Sequence, residues 1–255
     1  MQPASIPDAH CHLDLIADPE RAIEEALAAG VGPLLAVGTE QASSERVLEL
    51  RGKYPGSVLA AVGLHPSEIP ALSEAELAAE LEFVAATLPQ ADALGEVGLD
   101  FRDAQEEGQR ARQRQALEQQ LEWASRHRKP VSAHSRRAEH EMVERMGAFV
   151  QKSRLGVNLH WFTHSEKLVQ QCSRLGIYIS PGPSILHSEP QAAVARCIDA
   201  AHLLLETDSP VEFQRQPARP VWAVQVAERL AALRGVPAET LATLLQENFR
   251  RYLAG

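Results

Sequence analysis

Short apolar runs, each ended by Gly, Pro or Asp, alternate along this chain with longer segments of helical period. That order constrains the fold more than any other feature, because it is the pattern of a parallel sheet wrapped by helices. Eight runs read as strands: Ile6 to Leu13, Pro33 to Val37, Val58 to Gly63, Ala93 to Gly98, Val131 to His134, Gly156 to His160, Gly176 to Ser180 and Leu203 to Glu206. Helical segments fall between them near residues 19–29, 42–54, 74–87, 109–127, 138–149, 166–175 and 191–198, and two more, near 221–234 and 239–252, follow the last strand. Local chemistry supports several boundaries: Ser73 with Glu76 reads as a capping box, Pro19 suits a first turn, and Gly30 and Gly235 suit helix ends. Eight such units in 255 residues match an α/β fold of the (β/α)8 TIM-barrel type. An open doubly wound sheet would have fewer strands and usually a glycine-rich first turn, which is missing here. No repeat, low-complexity stretch or Gly/Ser linker asks for a boundary, so residues 1–255 are expected to form one domain.

The composition, 45% hydrophobic, permits a sizeable core. No apolar run approaches the roughly 18 residues of a membrane span, and Met1 to Pro7 lacks the charge and apolar stretch of a signal peptide. A cytoplasmic protein with no membrane partner is expected. Cys11, Cys172 and Cys197 are too few and too scattered for a disulfide framework. The net charge of −9 argues against non-specific nucleic-acid binding over the whole surface and leaves room for a local patch. The basic part is the middle, with Arg102, Arg110, Arg112, Arg114, Arg126, Arg128, Lys129, Arg136 and Arg137. It reads either as such a patch or as a solvated helix face.

Strand alternation places His10 and His12 on one face and Cys11 on the other. Alone, two such imidazoles are either the start of a metal site or an ordinary pair. Polar residues recur, however, at the carboxyl ends of other predicted strands, where a barrel builds its site. Glu96, His134, His160 and Asp208 each follow an apolar run. Together with His10 and His12 they supply four imidazoles and two carboxylates at one rim, enough for two divalent ions bridged by a carboxylate such as Glu96. Ions about 3.5–4 Å apart can activate a water and polarise a phosphoryl or carbonyl oxygen. Mixed nitrogen and oxygen donors suit Zn²⁺ or Mn²⁺, and Mg²⁺ would need more oxygen and water.

The motifs Asp8-Ala9-His10-Cys11-His12-Leu13-Asp14, Gly63-Leu64-His65-Pro66, Gly95-Glu96-Val97-Gly98-Leu99-Asp100, His134-Ser135-Arg136, His160-Trp161-Phe162-Thr163 and Glu206-Thr207-Asp208-Ser209-Pro210, with Asn248-Phe249 near the end, resemble those of the TatD family, in the family's order. The resemblance implies an amidohydrolase-type TIM barrel with a divalent-metal phosphodiesterase activity, often that of a DNase trimming from the 3′ end. It makes His10 and His12 ligands of one ion, His134 and His160 ligands of a second, Glu96 the bridge, and Asp208 a ligand and proton acceptor. His65 resembles the family's phosphate-facing or supporting histidine; otherwise it caps the turn before Pro66. Arg136 and Trp161 are expected to face substrate, Trp161 by stacking on a base unless it is simple packing. Glu206 shares the alternation of Asp208, so it either orients a ligand from behind or pairs with an arginine. The chain departs from the family at Phe101-Arg102-Asp103, at Trp161-Phe162-Thr163-His164 and at Ser67, all of which touch the substrate rim rather than the ligand set. The Trp161 version, with Gly182-Pro183-Ser184 and Leu186-His187-Ser188, loosely resembles TatD-like members found beside anti-phage defence genes.

The expected function is therefore a cytoplasmic metal-dependent phosphodiesterase or deoxyribonuclease with two divalent ions (Mg, Mn or Zn) and single-stranded DNA or a related nucleic acid as substrate. One alternative gives the same ions a carboxylic ester, lactone or aminoacyl ester. Another makes the barrel a metal-binding module with a partner protein in a defence complex.

Overall fold

The computed structural model describes residues 5–162 and 164–255, so Thr163 of the His160 motif lies outside the described residues. Seven parallel strands run in chain order round one sheet, each hydrogen-bonded to the next. They are β1 (Ile6–Cys11), β2 (Val31–Val37), β3 (Val58–Val62), β4 (Ala93–Asp100), β5 (Val131–Arg136), β6 (Val157–His160) and β7 (Tyr178–Ser180). Six helices make the crossovers: α1 (Pro19–Ala28), α2 (Gln41–Lys53), α3 (Glu74–Thr87), α4 (Glu107–His127), α5 (Glu139–Ser153) and α6 (Glu166–Leu175). Beyond β7 come α7 (Glu189–Arg196), α8 (Ala223–Arg234) and α9 (Ala238–Ala254). The helix termini follow the expected chemistry. Pro19 opens α1, Ser73 and Glu76 form a reciprocal capping box on α3, and Gly235 ends α8 in the left-handed conformation.

The eighth expected strand, Leu203 to Glu206, closes the ring without becoming a regular strand. Leu204 N–H donates to the Ile179 carbonyl at 2.9 Å on the β7 side, and Ala9 N–H donates to the Leu205 carbonyl at 2.8 Å on the β1 side. The ladder then gives way to a side chain. Asp8 accepts the Thr207 N–H at 3.0 Å and the Thr207 hydroxyl at 2.5 Å, and pairing with β1 resumes in a shifted register, Asp208 N–H donating to the His10 carbonyl at 3.0 Å and His12 N–H to the Ser209 carbonyl at 2.7 Å. A short antiparallel hairpin, β8 (Glu212–Phe213) with β9 (Gln216–Pro217), follows the closure. The sequence reading did not anticipate it, since two residues per strand leave no alternation to detect.

The main apolar core lies between strands and helices, with Cys11 inside it as a small buried residue. A second cluster joins Leu35, Val37, Ala61 and Ala93 to Phe249 and Tyr252 of α9. Asn248 ties α9 to the closing segment by donating to the Ala200 and Leu203 carbonyls, both at 2.7 Å. Gly156 makes room for this docking: a Cβ there would sit 2.2 Å from the Tyr252 carbonyl oxygen. Gly98 does the same within the sheet, where a Cβ would lie 2.1 Å from the His134 carbonyl oxygen, so β4 and β5 approach closely beside the site. No described helix is long and apolar enough to cross a membrane.

Candidate functional site

The carboxyl ends of β1, β4, β5 and β6 and the closing segment bring all six expected residues together. His10, His12, Glu96, His160 and Asp208 are buried, and the His134 side chain is 16% exposed. Glu96 stands at the centre and divides its oxygens. Oε2 lies 3.4 Å from both His10 Nε2 and His12 Nε2, while Oε1 lies 2.9 Å from His134 Nδ1 and 2.8 Å from His160 Nε2. Asp208 Oδ1 faces the first pair, 3.4 Å from His12 Nε2 and 3.8 Å from His10 Nε2. His65 joins the second side, its Nε2 3.3 Å from Glu96 Oε1. Its Nδ1 meanwhile pairs with the Ser67 hydroxyl at 2.6 Å and accepts the Ser67 N–H at 3.1 Å, so the ring caps this turn while its other nitrogen faces the cluster.

Each imidazole is oriented from behind. His12 Nδ1 lies 3.0 Å from the Val37 carbonyl oxygen, which requires a proton on that nitrogen and turns Nε2 toward Glu96. His10 Nδ1 lies 2.9 Å from Ser132 Oγ, and the His10 ring stacks on His160 with centres 3.9 Å apart. Glu206 Oε1 is 3.4 Å from His160 Nδ1, and its other oxygen accepts from Ser180. His134 is turned the other way round: Nε2 meets Asp100 Oδ2 at 3.0 Å, and Nδ1 faces Glu96.

The electrostatics reflect this crowding. Burial by itself would raise the Glu96 carboxyl, but His65, His160 and His10 hold it well below the usual carboxylate range. Burial opposes and His12, His160 and His10 likewise lower Asp208. Burial pushes His10 down to about 4, helped by His160, whereas Asp208 and Glu96 overcome burial and lift His12 to about 9. His160 rises well above its ordinary value against burial, through Glu96 and Glu206.

A cation fits the donor set. Three groups have ligand atoms lying within 4.8 Å of one another: His10 with His12 and Glu96, His10 with His160 and Asp208, and His65 with Glu96 and His134. Asp208 Oδ1, though buried, has no hydrogen-bond partner, the expected state of an oxygen whose partner is an ion.

A cleft of about 570 Å³ opens above the cluster, and Ser135, Arg136, Glu139, Trp161, Phe162 and His164 are among its lining residues. Of the basic middle segment only Arg136 lines it among the described residues. The helix-face reading holds for several of the others: Arg112 donates to the Ile69 and Leu72 carbonyls, Arg114 pairs with Glu141, and Arg110 and Arg114 lie over Phe101. Asp100 and Ser132 were not singled out by sequence reasoning. The available signal was alternation, since Asp100 shares a strand face with Glu96, and Ser132 with His134.

Comparison with known proteins accords with this geometry. The family described as TatD related DNase matches residues 7–254. An uncharacterized metal-dependent hydrolase of Escherichia coli strain K12, YjjV, is 35% identical, with 94% of this chain and 95% of that protein covered. Its crystal structure superposes with a TM-score of 0.86 at 32% identity, covering 98% of each chain. A 3′-5′ ssDNA/RNA exonuclease TatD of Edwardsiella piscicida is 32% identical over 92% of either chain. A match over nearly the whole length, on a barrel whose strand ends converge on Glu96, means that the chain belongs to the TatD related DNase family.

Proposed function

We propose that the protein hydrolyses phosphodiester bonds of single-stranded nucleic acid, DNA in the first instance, with two divalent cations at the mouth of the barrel. The observation that carries this reading is the division of Glu96 between two pairs of histidines, because a carboxylate facing two donor pairs through separate oxygens suits a bridge. His10 and His12, with Asp208, would hold one cation; His134 and His160 would hold the other. Such ions supply Lewis-acid polarisation of a phosphoryl oxygen and a lowered pKa for a coordinated water. Nitrogen and oxygen donors in this ratio favour Zn²⁺ or Mn²⁺ over Mg²⁺.

The chain's own groups do the rest. Asp208 Oδ1, buried and without a hydrogen-bond partner, accepts the proton of the attacking water. Asp100 holds the imidazole of His134 at a fixed angle, and the Glu206 carboxylate stands behind His160. His65 and Arg136 border the place where a phosphate would sit, and Trp161 lines the same cleft. With a net charge of −9 the surface repels a polyanion in general, so recognition rests on this cleft. The name of the Edwardsiella relative supports attack from the 3′ end. Three free cysteines agree with a reducing, cytoplasmic setting.

The test is release of nucleotides from short single-stranded DNA by protein loaded with Mn²⁺, Mg²⁺ or Zn²⁺. Release should stop in Glu96→Gln and fall steeply in Asp208→Asn. Failure of every loaded form on DNA and RNA, with turnover of a carboxylic ester or lactone, would overturn the reading.

A further inference from the structure

One wall of the cleft has a construction that hydrolysis does not require. Trp161 follows His160 directly, and its backbone sits at φ 44°, in the left-handed region that bulky residues seldom adopt. Its N–H donates to the Ser180 carbonyl at 3.0 Å, which pins it to the neighbouring strand end and leaves the indole beside the cleft. Phe213 comes from β8, five residues after Asp208. The two ring centres are 5.0 Å apart with planes tilted by 45°. Phe213 is not among the side chains lining the cleft, so it backs the indole. Both residues stay half-buried, unlike the aromatic residues of the second core cluster.

Resting on the phosphodiesterase reading, we propose that Trp161, held by Phe213 of the β8–β9 hairpin, is a stacking platform for the nucleobase next to the scissile phosphate. This pair then restricts the enzyme to unpaired strands. A base offers its face to the indole only when it has left its own stack, and every base has such a face, so the platform selects single strands without selecting sequence. The cleft volume, about 570 Å³, is that of a site for one small ligand, which suits one nucleotide unit rather than a duplex. Arg136, which lines the same cleft, is available to the phosphate that the stacked base brings with it. Phe213 acts through Trp161 and is a positioning residue.

The experiment compares two single-stranded oligonucleotides, one with a normal terminal nucleotide and one whose terminal nucleotide is abasic, using Mn²⁺-loaded protein. Wild type should favour the base-bearing strand in kcat/KM by roughly five-fold or more. In Trp161→Ala that ratio should fall to about one; in Trp161→Phe part should remain; in Phe213→Ala it should shrink mainly through KM, and Phe213→Tyr should restore it. A wild-type ratio near one, or a ratio unchanged in Trp161→Ala while both rates drop, overturns the proposal. A second measurement separates it from the hydrolytic reading. The base-bearing strand, titrated into chelator-treated protein, should quench tryptophan fluorescence in wild type and not in Trp161→Phe. Quenching without cleavage upholds the platform and overturns hydrolysis. Cleavage with neither quenching nor base preference does the reverse, and loss of both signals removes both.

Discussion

Asp100 Oδ2 lies 3.0 Å from His134 Nε2, and this contact decides which nitrogen of His134 faces Glu96. Among the histidines facing Glu96, His134 presents Nδ1, whereas His10, His12, His65 and His160 present Nε2. The Asp100 carboxylate, kept below its ordinary range by His134 against the effect of burial, accepts a hydrogen bond from Nε2–H, so that in the neutral ring Nδ1 is the nitrogen that carries the lone pair.

Asp100→Asn should reverse that tautomer. The amide oxygen can still accept the N–H groups of Arg102 and Asp103, as Asp100 Oδ1 does at 2.9 and 3.3 Å, so the turn after β4 survives. The amide nitrogen would instead donate to Nε2 and move the proton to Nδ1. We expect a loss in cation affinity of roughly 10- to 100-fold, with melting of the metal-free protein little changed. Isothermal titration with Zn²⁺ or Mn²⁺ measures it, and unchanged affinity would refute the tautomer argument.

Much of this was legible because side-chain alternation is a property of the strand itself. His10 and His12 had to share a face, and Glu96, His134, His160 and Asp208 each ended an apolar run. The contacts that tune the site were not legible, because they link residues distant in sequence: Ser132 to His10, Val37 to His12, Phe213 to Trp161. The irregular eighth strand escaped for a related reason. Leu203-Leu204-Leu205 reads as strand, and only the approach of Asp8 to Thr207 shows where the ladder is traded for a side-chain acceptor. The arginines of the middle segment left a nucleic-acid patch and a solvated helix face open, because charge alone carries no direction; Arg110, Arg112 and Arg114 tie α4 to neighbouring loops and to α5, and Arg136 lines the cleft.

The Asp8 to Thr207 latch should matter for stability more than for chemistry. Asp8 is fully buried, and burial pushes its carboxyl up to about 8 against the pull of the Thr207 bonds. Thr207→Val keeps the shape and removes the hydroxyl, leaving one carboxylate oxygen short of a partner. The cost should be about 1–3 kcal/mol in denaturant unfolding. A cost near zero would mean that a water or Ser209 replaces the hydroxyl.

Glu141 of α5 joins two arginines, accepting from Arg114 Nε of α4 and Arg145 Nε of its own helix, each at 2.8 Å. The Arg114 bond, with that of Arg145 and against burial, lowers the Glu141 carboxyl below 4.5. A lowered folded-state value means stabilisation that is complete above the unfolded value and lost as pH falls through the lowered one. Glu141→Gln should therefore cost about 1 kcal/mol at pH 7, allowing for solvent screening, and almost nothing well below pH 4. Unfolding curves at the two pH values check this, and a cost independent of pH would assign the effect to packing.

Cation binding should itself hold the barrel mouth together. The donors come from β1, β4, β5 and β6 and from the segment that closes the ring, so an ion bound there crosslinks the two ends of the barrel sequence, His10 and Asp208. An unfolded chain offers no such cluster, and binding energy becomes folding energy. At a free concentration of about 100 times Kd, one site adds roughly 2.7 kcal/mol. For a chain of this size that is on the order of 5–10 °C in Tm. Glu96→Gln, which deprives both histidine pairs of their shared anion, should remove most of the shift, while Glu141→Gln, remote from the mouth, should keep it. Scanning calorimetry with chelator, then with Zn²⁺ or Mn²⁺, reads the difference. An identical Tm with and without each ion would mean that the histidines and carboxylates converge for a reason other than holding metal.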